Sequence, residues 1–512
     1  MKAEILPVGW SKSSLGQIAS YINGRAFKPV EWSDEGKPII RIQNLNNDDA
    51  HYNRSPLNHE EKYLVKSGDL LFAWSASLGA YIWRGEDAWL NQHIFNVKPQ
   101  GNIPKGYLYY LLTKVTNELY AKAHGSGMVH VTKGKFESTE ILLPPLNEQH
   151  RIVAKIEELF SELDKGVESL KQAREQLKVY RQALLKHAFE GKLTEQWRKE
   201  NADKLETAEQ LLERIKHERE ARYQQQLEKW KAAVEQWEKD GKVGKRPSKP
   251  SKLVPFSRQL PNNQEKLPIL PKGWAWLYLS DAVERIQIGP FGSLLHKQDY
   301  IHNGTPLINP SHIKEMAIVP DNDLCVSEKK LSELQKYIMS KNDIVVGRRG
   351  EMGRCAVITD REDGWLCGTG SLFIRLIGLF NADFYCHILS SKKVKNYLSD
   401  SSIGTTMQNL NQKILQTVPI PICCTAEQNE IVSELNRQFS VIDRASLDIK
   451  ANLARSEALR QSILKKAFSG QLVPQDPSDE PASVLLERIA REKAEAAATA
   501  KKSRGLKKSQ KI

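Results

Sequence analysis

The stretch "EQHRIVAKIEELFSELD" occupies residues 148–164, and "EQNEIVSELNRQFSVID" occupies residues 427–443. They lie 279 positions apart. The same offset pairs Ile152 with Ile431, Phe160 with Phe439 and Asp164 with Asp443, and still holds at Leu185/Leu464, Ala188/Ala467, Phe189/Phe468 and Gly191/Gly470. One helix is therefore written twice, and an internal repeat settles the organisation before any other feature is read. Ile156, Leu163, Leu170, Leu177 and Leu184 recur every seven residues, and Leu435, Ile442, Ile449 and Ile463 lie on one seam of the second copy, where Ser456 and Asn452 are polar interruptions. Such a seam, held over several heptads, predicts a coiled-coil rod in each copy. Ile152, Leu159, Ala173 and Tyr180 form the expected second seam of the first rod, and Ile431, Ala445 and Leu459 that of the second. Thr425 with Gln428 fits a capping box at the second rod's start, and "TAEQ" at Thr207 fits another at the start of a further charged helix. Gly191 and Gly470 are placed to stop the rods. Two rods in one chain can bury their seams against each other.

Outside the rods the repeat is looser. "LPVGW" at Leu6 answers "LPKGW" at Leu270, and "SGDLLFAWSASLG" at Ser67 answers "KNDIVVGRRGEMG" at Lys341. "LLERI" at Leu211 recurs at Leu485. Each copy is thus a globular domain followed by a rod. Short apolar runs ("GDLLFAW", "HIFNV", "DIVVG", "SLFIRLIG") read as buried strands, and the segments from Tyr107 and from Asp383 each read as a helix. The expected boundaries are 1–143 for the first domain, 144–194 for the first rod, 195–240 for a charged helical extension and 241–269 for a basic linker. The second copy follows with 270–418 for the domain, 419–473 for the rod, 474–500 for its extension and 501–512 for a basic disordered tail. The fold class is α+β: two mixed α/β domains separated by two long antiparallel coiled-coil helices, a pseudo-two-fold internal repeat.

With 512 residues, of which 40% are hydrophobic, the chain is large enough for more than one core. No apolar run is long enough to span a membrane, and the start of the chain has no secretory pattern. The six cysteines all lie in the second half, from Cys325 onward, and form no CxxC pair, which argues against a zinc ribbon or disulfide framework and suits a reducing cytoplasm. A net charge of +13 favours a polyanionic partner, nucleic acid first among them. Glycine-bearing loops after the strands carry the residue types that reach base edges and phosphates: His130, Lys133 and Lys135 in the first domain, and Arg348, Arg349, Gln408, Asn409, Asn411, Gln412 and Lys413 in the second. P-loop, GxSxG and HExxH signatures are absent. Asp321, Glu328 and Lys330 imitate the metal site of a nuclease, at a spacing that is too short and with no counterpart in the first copy. No catalytic or metal-ligating residue is assigned.

The strings "LPPLNEQHRIVAKIEELFSELD" with "LLKHAFEGKL", and "IPICCTAEQNEIVSELNRQFSVID" with "ILKKAFSGQL", resemble the specificity subunits of Type I restriction–modification systems. The resemblance covers nearly the whole chain. It implies two target recognition domains, each reading one part of an asymmetric bipartite site on double-stranded DNA, with the rods as a ruler for the unread spacer. It also implies two modification (methyltransferase) subunits and two restriction (translocase/nuclease) subunits as partners, in the cytoplasm. S-adenosylmethionine, ATP and Mg would belong to those partners, with no cofactor bound by this chain. The charged segment from Glu195 to Lys266 departs from the compact family pattern. Two other readings stay open at this level: a self-contained Mg-dependent nuclease, and a coiled-coil scaffold that binds no DNA.

Overall fold

The computed structural model describes residues 6–47, 49–122, 132–250, 267–350, 353–401 and 410–509. The chain divides into two compact units. One comprises Met1–Gln172 with Ile449–Ile512, and the other is Ala173–Asp448. Each rod is therefore shared: its first part stays with the domain that precedes it, and its end belongs to the unit of the other domain.

In the first unit, Ser11–Ser14 pairs antiparallel with Glu140–Leu143, joining the two ends of the globular domain where the rod departs. A four-stranded antiparallel sheet runs in the order Ala19–Asn23, Ile94–Pro99, Leu70–Ala73, Gly79–Ile82. A second sheet contains Arg54–Ser55, Lys37–Ile40, Ala88–Leu90 and Leu64–Val65, with Lys37–Ile40 parallel to Ala88–Leu90. The strand Leu70–Ala73 is buried at every residue. Alternation explains this: Leu70 and Phe72 pack with Leu108, Leu111 and Leu112 of the helix Lys105–Lys122, while Leu71 packs with Ile40 and Val65. The second unit repeats the plan. Ala275–Tyr278 pairs with Pro419–Ile422, and Val283–Ile288, Ser371–Leu376, Ile344–Gly347 and Cys355–Val357 form its antiparallel sheet. Ile344 and Val346 face one core and Val345 another.

The rods are Leu146–Phe189 and Thr425–Ala467, of 44 and 43 residues, each roughly 65 Å long at 1.5 Å per residue. A tryptophan from each "LPxGW" opening fastens a rod start. Trp10 Nε1 donates to Glu148 at 3.0 Å in the first unit, and Trp274 Nε1 to Glu427 at 2.8 Å in the second. The rod ends make the exchange. In the second unit Leu184, Leu185 and Ala188 enter the domain core, together with Leu211 and Ile215 of the helix Ala208–Lys239. In the first unit Leu464, Ala467 and Phe468 do so, followed by Ala482, Leu485 and Ile489 of the helix Ala482–Ser509. Between rod and extension the chain turns at Gly191 and Gly470, with φ of +69° and +72°. A Cβ at Gly191 would meet Pro271 at 2.5 Å, and one at Gly470 would meet Pro7 at 2.6 Å. These prolines belong to the "LPxGW" openings, so both glycines are required by conformation and by close approach.

Within each unit the two rod segments run antiparallel. In the first, Asp164 meets Arg460 while Arg151 meets Asp479. In the second, Arg181 meets Asp443 while Arg198 meets Glu427. The heptad seam is buried or half-buried throughout: Leu163, Leu170 and Leu177 are half-buried, and Leu435, Ile442 and Ile449 are buried. Its outer parts are covered by the globular domains as well. Ile152 and Ile156 lie in the first domain's core with Ile463 packed against it, and Leu435 and Ile442 lie in the second's.

Several expectations are corrected. Tyr180 and Leu459 are exposed (48% and 44%), and Arg181 and Arg460 take the half-buried places beside them. Thr425 and Gln428 form no capping box. The Thr425 hydroxyl donates to Leu379 O at 3.0 Å, and the Gln428 amide donates to Cys423 O and accepts from Asn381 N, tying the rod to its own domain. The box at Thr207 and Gln210 does form. The segment from Asp383 is two helices, Ala382–Ser390 and Lys392–Ser401, because the Ser391 hydroxyl donates to Ile388 O and accepts from Val394 N, closing one helix and opening the next. The backbone of the basic tail continues the helix as far as Ser509, as the Ala- and Lys-rich sequence favours.

A candidate nucleic-acid interface at one edge of each sheet

In the second unit, strand register brings four loops to one sheet edge. Ile288 lies opposite Leu372, and Gly347 opposite Ser371, so the loops after Ile288 and Gly347 emerge beside the loop before Ser371. Gly289 and Gly368 touch backbone to backbone there, where any Cβ would overlap. The segment ending at Leu410 joins them, since Leu410 N donates to Arg348 O at 3.0 Å.

Arg348, Arg349, Asn411, Gln412 and Lys413 converge on this edge with different tasks. Arg348 Nε donates to Leu410 O at 2.8 Å, and its backbone N–H donates to Gly370 O. Burial, then the neighbouring Arg349 charge, pull its pKa below the ordinary arginine value. Asn411 caps the short helix Gln412–Gln416 by accepting from Ile414 N at 3.0 Å, and the Gln412 amide donates to Ile286 O. These three hold the loops in shape. Arg349 and Lys413 are exposed, and their side chains have no hydrogen bond or ion pair with the described residues. Gln408 and Asn409 lie outside the described residues.

The equivalent edge of the first unit is formed by the ends of Ala19–Asn23, Leu70–Ala73 and Ile94–Pro99. Lys133 crosses to it, donating to Tyr21 O at 2.8 Å. Lys135 is exposed, and its side chain has no such partner. His130 lies outside the described residues. Residue-type reasoning missed three side chains on these edges. Trp74 follows the strand Leu70–Ala73 as Arg348 follows Ile344–Gly347, stacks on Phe95 and donates to Asn23 at 3.1 Å. Gln92 is exposed in the adjoining loop, and Phe291 is 63% exposed beyond Gly289. The legible signal was positional, because Trp74 aligns with Arg348 in the repeat.

Among the described residues, the edge in the second unit offers the exposed cations Arg349 and Lys413 but no reactive constellation. Among the described residues no group of three or more His, Cys, Asp or Glu is placed to hold a metal. Lys330 of the nuclease-like string pairs with Asp299 at 3.6 Å and Glu333 at 3.2 Å, and Ser327 caps its helix. Five of the six cysteines are buried, and Cys355 and Cys386 lie 3.4 Å apart as free thiols. The hydrogen bond to Cys355, then burial, push the Cys386 thiol well up. No helix among the described residues is long and apolar enough to cross a membrane. If Arg349 and Lys413 contact phosphates, Arg349→Ala and Lys413→Ala should each weaken DNA binding about equally for all sequences. Each should also lower the slope of log affinity against log salt by about 1. Unchanged slopes in a salt titration would remove these side chains from the interface.

Comparison with known proteins follows the same division. Residues 7–177 and 288–453 match the family model described as Type I restriction modification DNA specificity domain. The chain is 26% identical over 505 residues to the Type I restriction enzyme EcoBI specificity subunit of Escherichia coli, covering 95% of this chain and 92% of the relative. It is 24% identical over 529 residues to the EcoDI specificity subunit of Escherichia coli, covering 99% and 100%. A solved structure described under complex assembly and conformational transition of the type I R-M system superposes with a TM-score of 0.61 at 19% identity, over 92% of this chain and 100% of that one. With one matched segment in each repeat, the chain belongs to the Type I restriction modification DNA specificity family.

Proposed function

We propose that this chain is the sequence-reading subunit of a Type I restriction–modification complex, each of its two sheet edges reading one part of an asymmetric bipartite target on double-stranded DNA. The observation that carries this is one backbone edge built twice with unlike side chains. Where the second copy places the exposed Arg349 after a loop-holding Arg348, the first places Ser75 after Trp74. Equivalent frames with different chemistry suit half-sites of different sequence, since base edges are discriminated by the donor and acceptor pattern offered to them. The paired rods act as the ruler for the unread spacer. Partner subunits perform the chemistry: two modification subunits methylate adenine with S-adenosylmethionine, and two restriction subunits cleave with ATP and Mg, in the cytoplasm. This chain contributes no catalytic group.

Exchanging residues 1–143 for the equivalent part of a relative should change one part of the methylated target and leave the other as it was. Methylome sequencing of cells that express the hybrid with its modification partner reads this directly. A motif altered in both parts, or no motif, would contradict the division of labour.

A further inference from the structure

We propose that Arg181 and Arg460 lock the register of the paired rods and thereby determine which spacer length the protein accepts. This rests on the ruler reading above. The two arginines are repeat equivalents, 279 positions apart, and each occupies a half-buried place along the helix seam where a coiled coil ordinarily has an apolar residue. In the second unit the Arg181 guanidinium lies 4.0 Å from the Phe439 ring centroid and 2.7 Å from Asp443. In the first unit Arg460 lies 4.7 Å from the Phe160 centroid and pairs with Asp164. Phe160 with Asp164, and Phe439 with Asp443, stand four residues apart on one helix face, so one arginine reaches both. The domain closes each clamp from the far side: Tyr110 meets Phe160 edge-on at 5.7 Å, and His387 meets Phe439 at 5.5 Å. Burial and the nearby Arg181 charge hold His387 down to about 4, so it is a neutral ring at physiological pH.

The apolar seam specifies this register only weakly. Leu163, Leu170 and Leu177 recur every seven residues, as do Leu435, Ile442 and Ile449, and Ser456 is the one polar break in that seam of the second rod, so a slip of one heptad still sets apolar against apolar at most of its positions. The clamps do distinguish the registers. One heptad toward the C-terminus, Arg181 would face Ser446 and Lys450 in place of Phe439 and Asp443, and Arg460 would face Val167 and Lys171 in place of Phe160 and Asp164. In both units an attraction becomes a like-charge contact, a penalty specific to the wrong pairing. The opposite slip removes the ring in both units, leaving Val432 or Val153.

The rod ends also dock on the domains, so the experiment must separate that docking from the clamps. The complex with its modification partner is assayed on a DNA library in which fixed half-sites are separated by spacers of graded length. Arg181→Glu with Arg460→Glu should raise methylation at spacers about three base pairs too long or too short, the length of one heptad slip, by about fivefold relative to the preferred spacer, the scale of a lost cation–π contact with its ion pair. Half-site preference should not change. Adding Asp443→Arg and Asp164→Arg should restore discrimination. If the reversed charges prevent assembly, the pair Arg181→Gln and Arg460→Gln is read in the same assay. Wild-type spacer preference in an assembled clamp variant would overturn the proposal and leave register to rod-end docking. A wild-type complex that accepts all spacers equally would instead refute the ruler reading, and this proposal with it.

Discussion

Arg198→Ala should destabilise the second unit by about 3–5 kcal/mol, the usual cost of removing one partner from a buried ion pair. Glu427 is 2% exposed and accepts from Arg198 at 2.5 Å, from Thr194 at 2.7 Å and from Trp274 at 2.8 Å. Without the guanidinium the carboxylate keeps only neutral donors. A unit of this size should lose ~10 °C in its melting transition. Hydrogen exchange should place the lost protection in Ala173–Asp448. The equivalent carboxylate provides the control. Glu148 is fully buried and is held by Trp10 and, at 3.4 Å, by Gln475, with no cation bonded to it among the described residues. Burial therefore raises its pKa above the ordinary carboxylate value. Its charge weakens the fold at neutral pH, and the penalty fades as pH falls from the raised folded value toward the unfolded one. Glu148→Gln should thus stabilise the first unit at neutral pH, and the difference from wild type should shrink on acidification through that window. Equal losses for Arg198→Ala and Glu148→Gln would show that the two sites are not chemically distinct.

Removing residues 475–512 should unfold the first domain, not the region next to the cut in sequence. Ala482, Leu485 and Ile489 lie in that domain's core, and a Cβ on Gly101 would overlap Ile489. Arg151 loses its 2.6 Å pair with Asp479, and Gly9 O loses the Ala482 N–H. Two large buried aliphatic side chains alone are worth about 3–6 kcal/mol. Limited proteolysis should then cut within residues 6–143 while Ala173–Asp448 stays resistant. Cleavage confined to the second unit would reverse the assignment of the helix.

The repeat was legible because an offset of 279 without gaps leaves little room for another reading. Gly191 and Gly470 were legible because a rod's end needs a residue that tolerates positive φ. The exchange of rod ends was not. Heptad spacing reports that a face is buried, not what buries it, and Ile152, Ile156, Leu184 and Leu435 satisfy the rod pattern while packing in domain cores. Arg181 and Arg460 went unread because the heptad count put their neighbours Tyr180 and Leu459 on the seam, and only the partner helix, with its aromatic ring and carboxylate, gives a half-buried place to an arginine. Thr425 and Gln428 matched a local motif and lost it to longer-range acceptors in the domain. The loops were identified by composition, which could not tell Arg348, spent on its own backbone, from Arg349 beside it.

Rod exchange has a consequence for synthesis. The first domain emerges from the ribosome hundreds of residues before Leu485 and Ile489, which finish its core. At typical elongation rates that interval is roughly 20–70 s. Throughout it the nascent domain exposes the apolar surface that the final helix will cover. Newborn chains should therefore depend on a holding chaperone, and truncated translation products should be cleared as misfolded rather than persist as half-length readers.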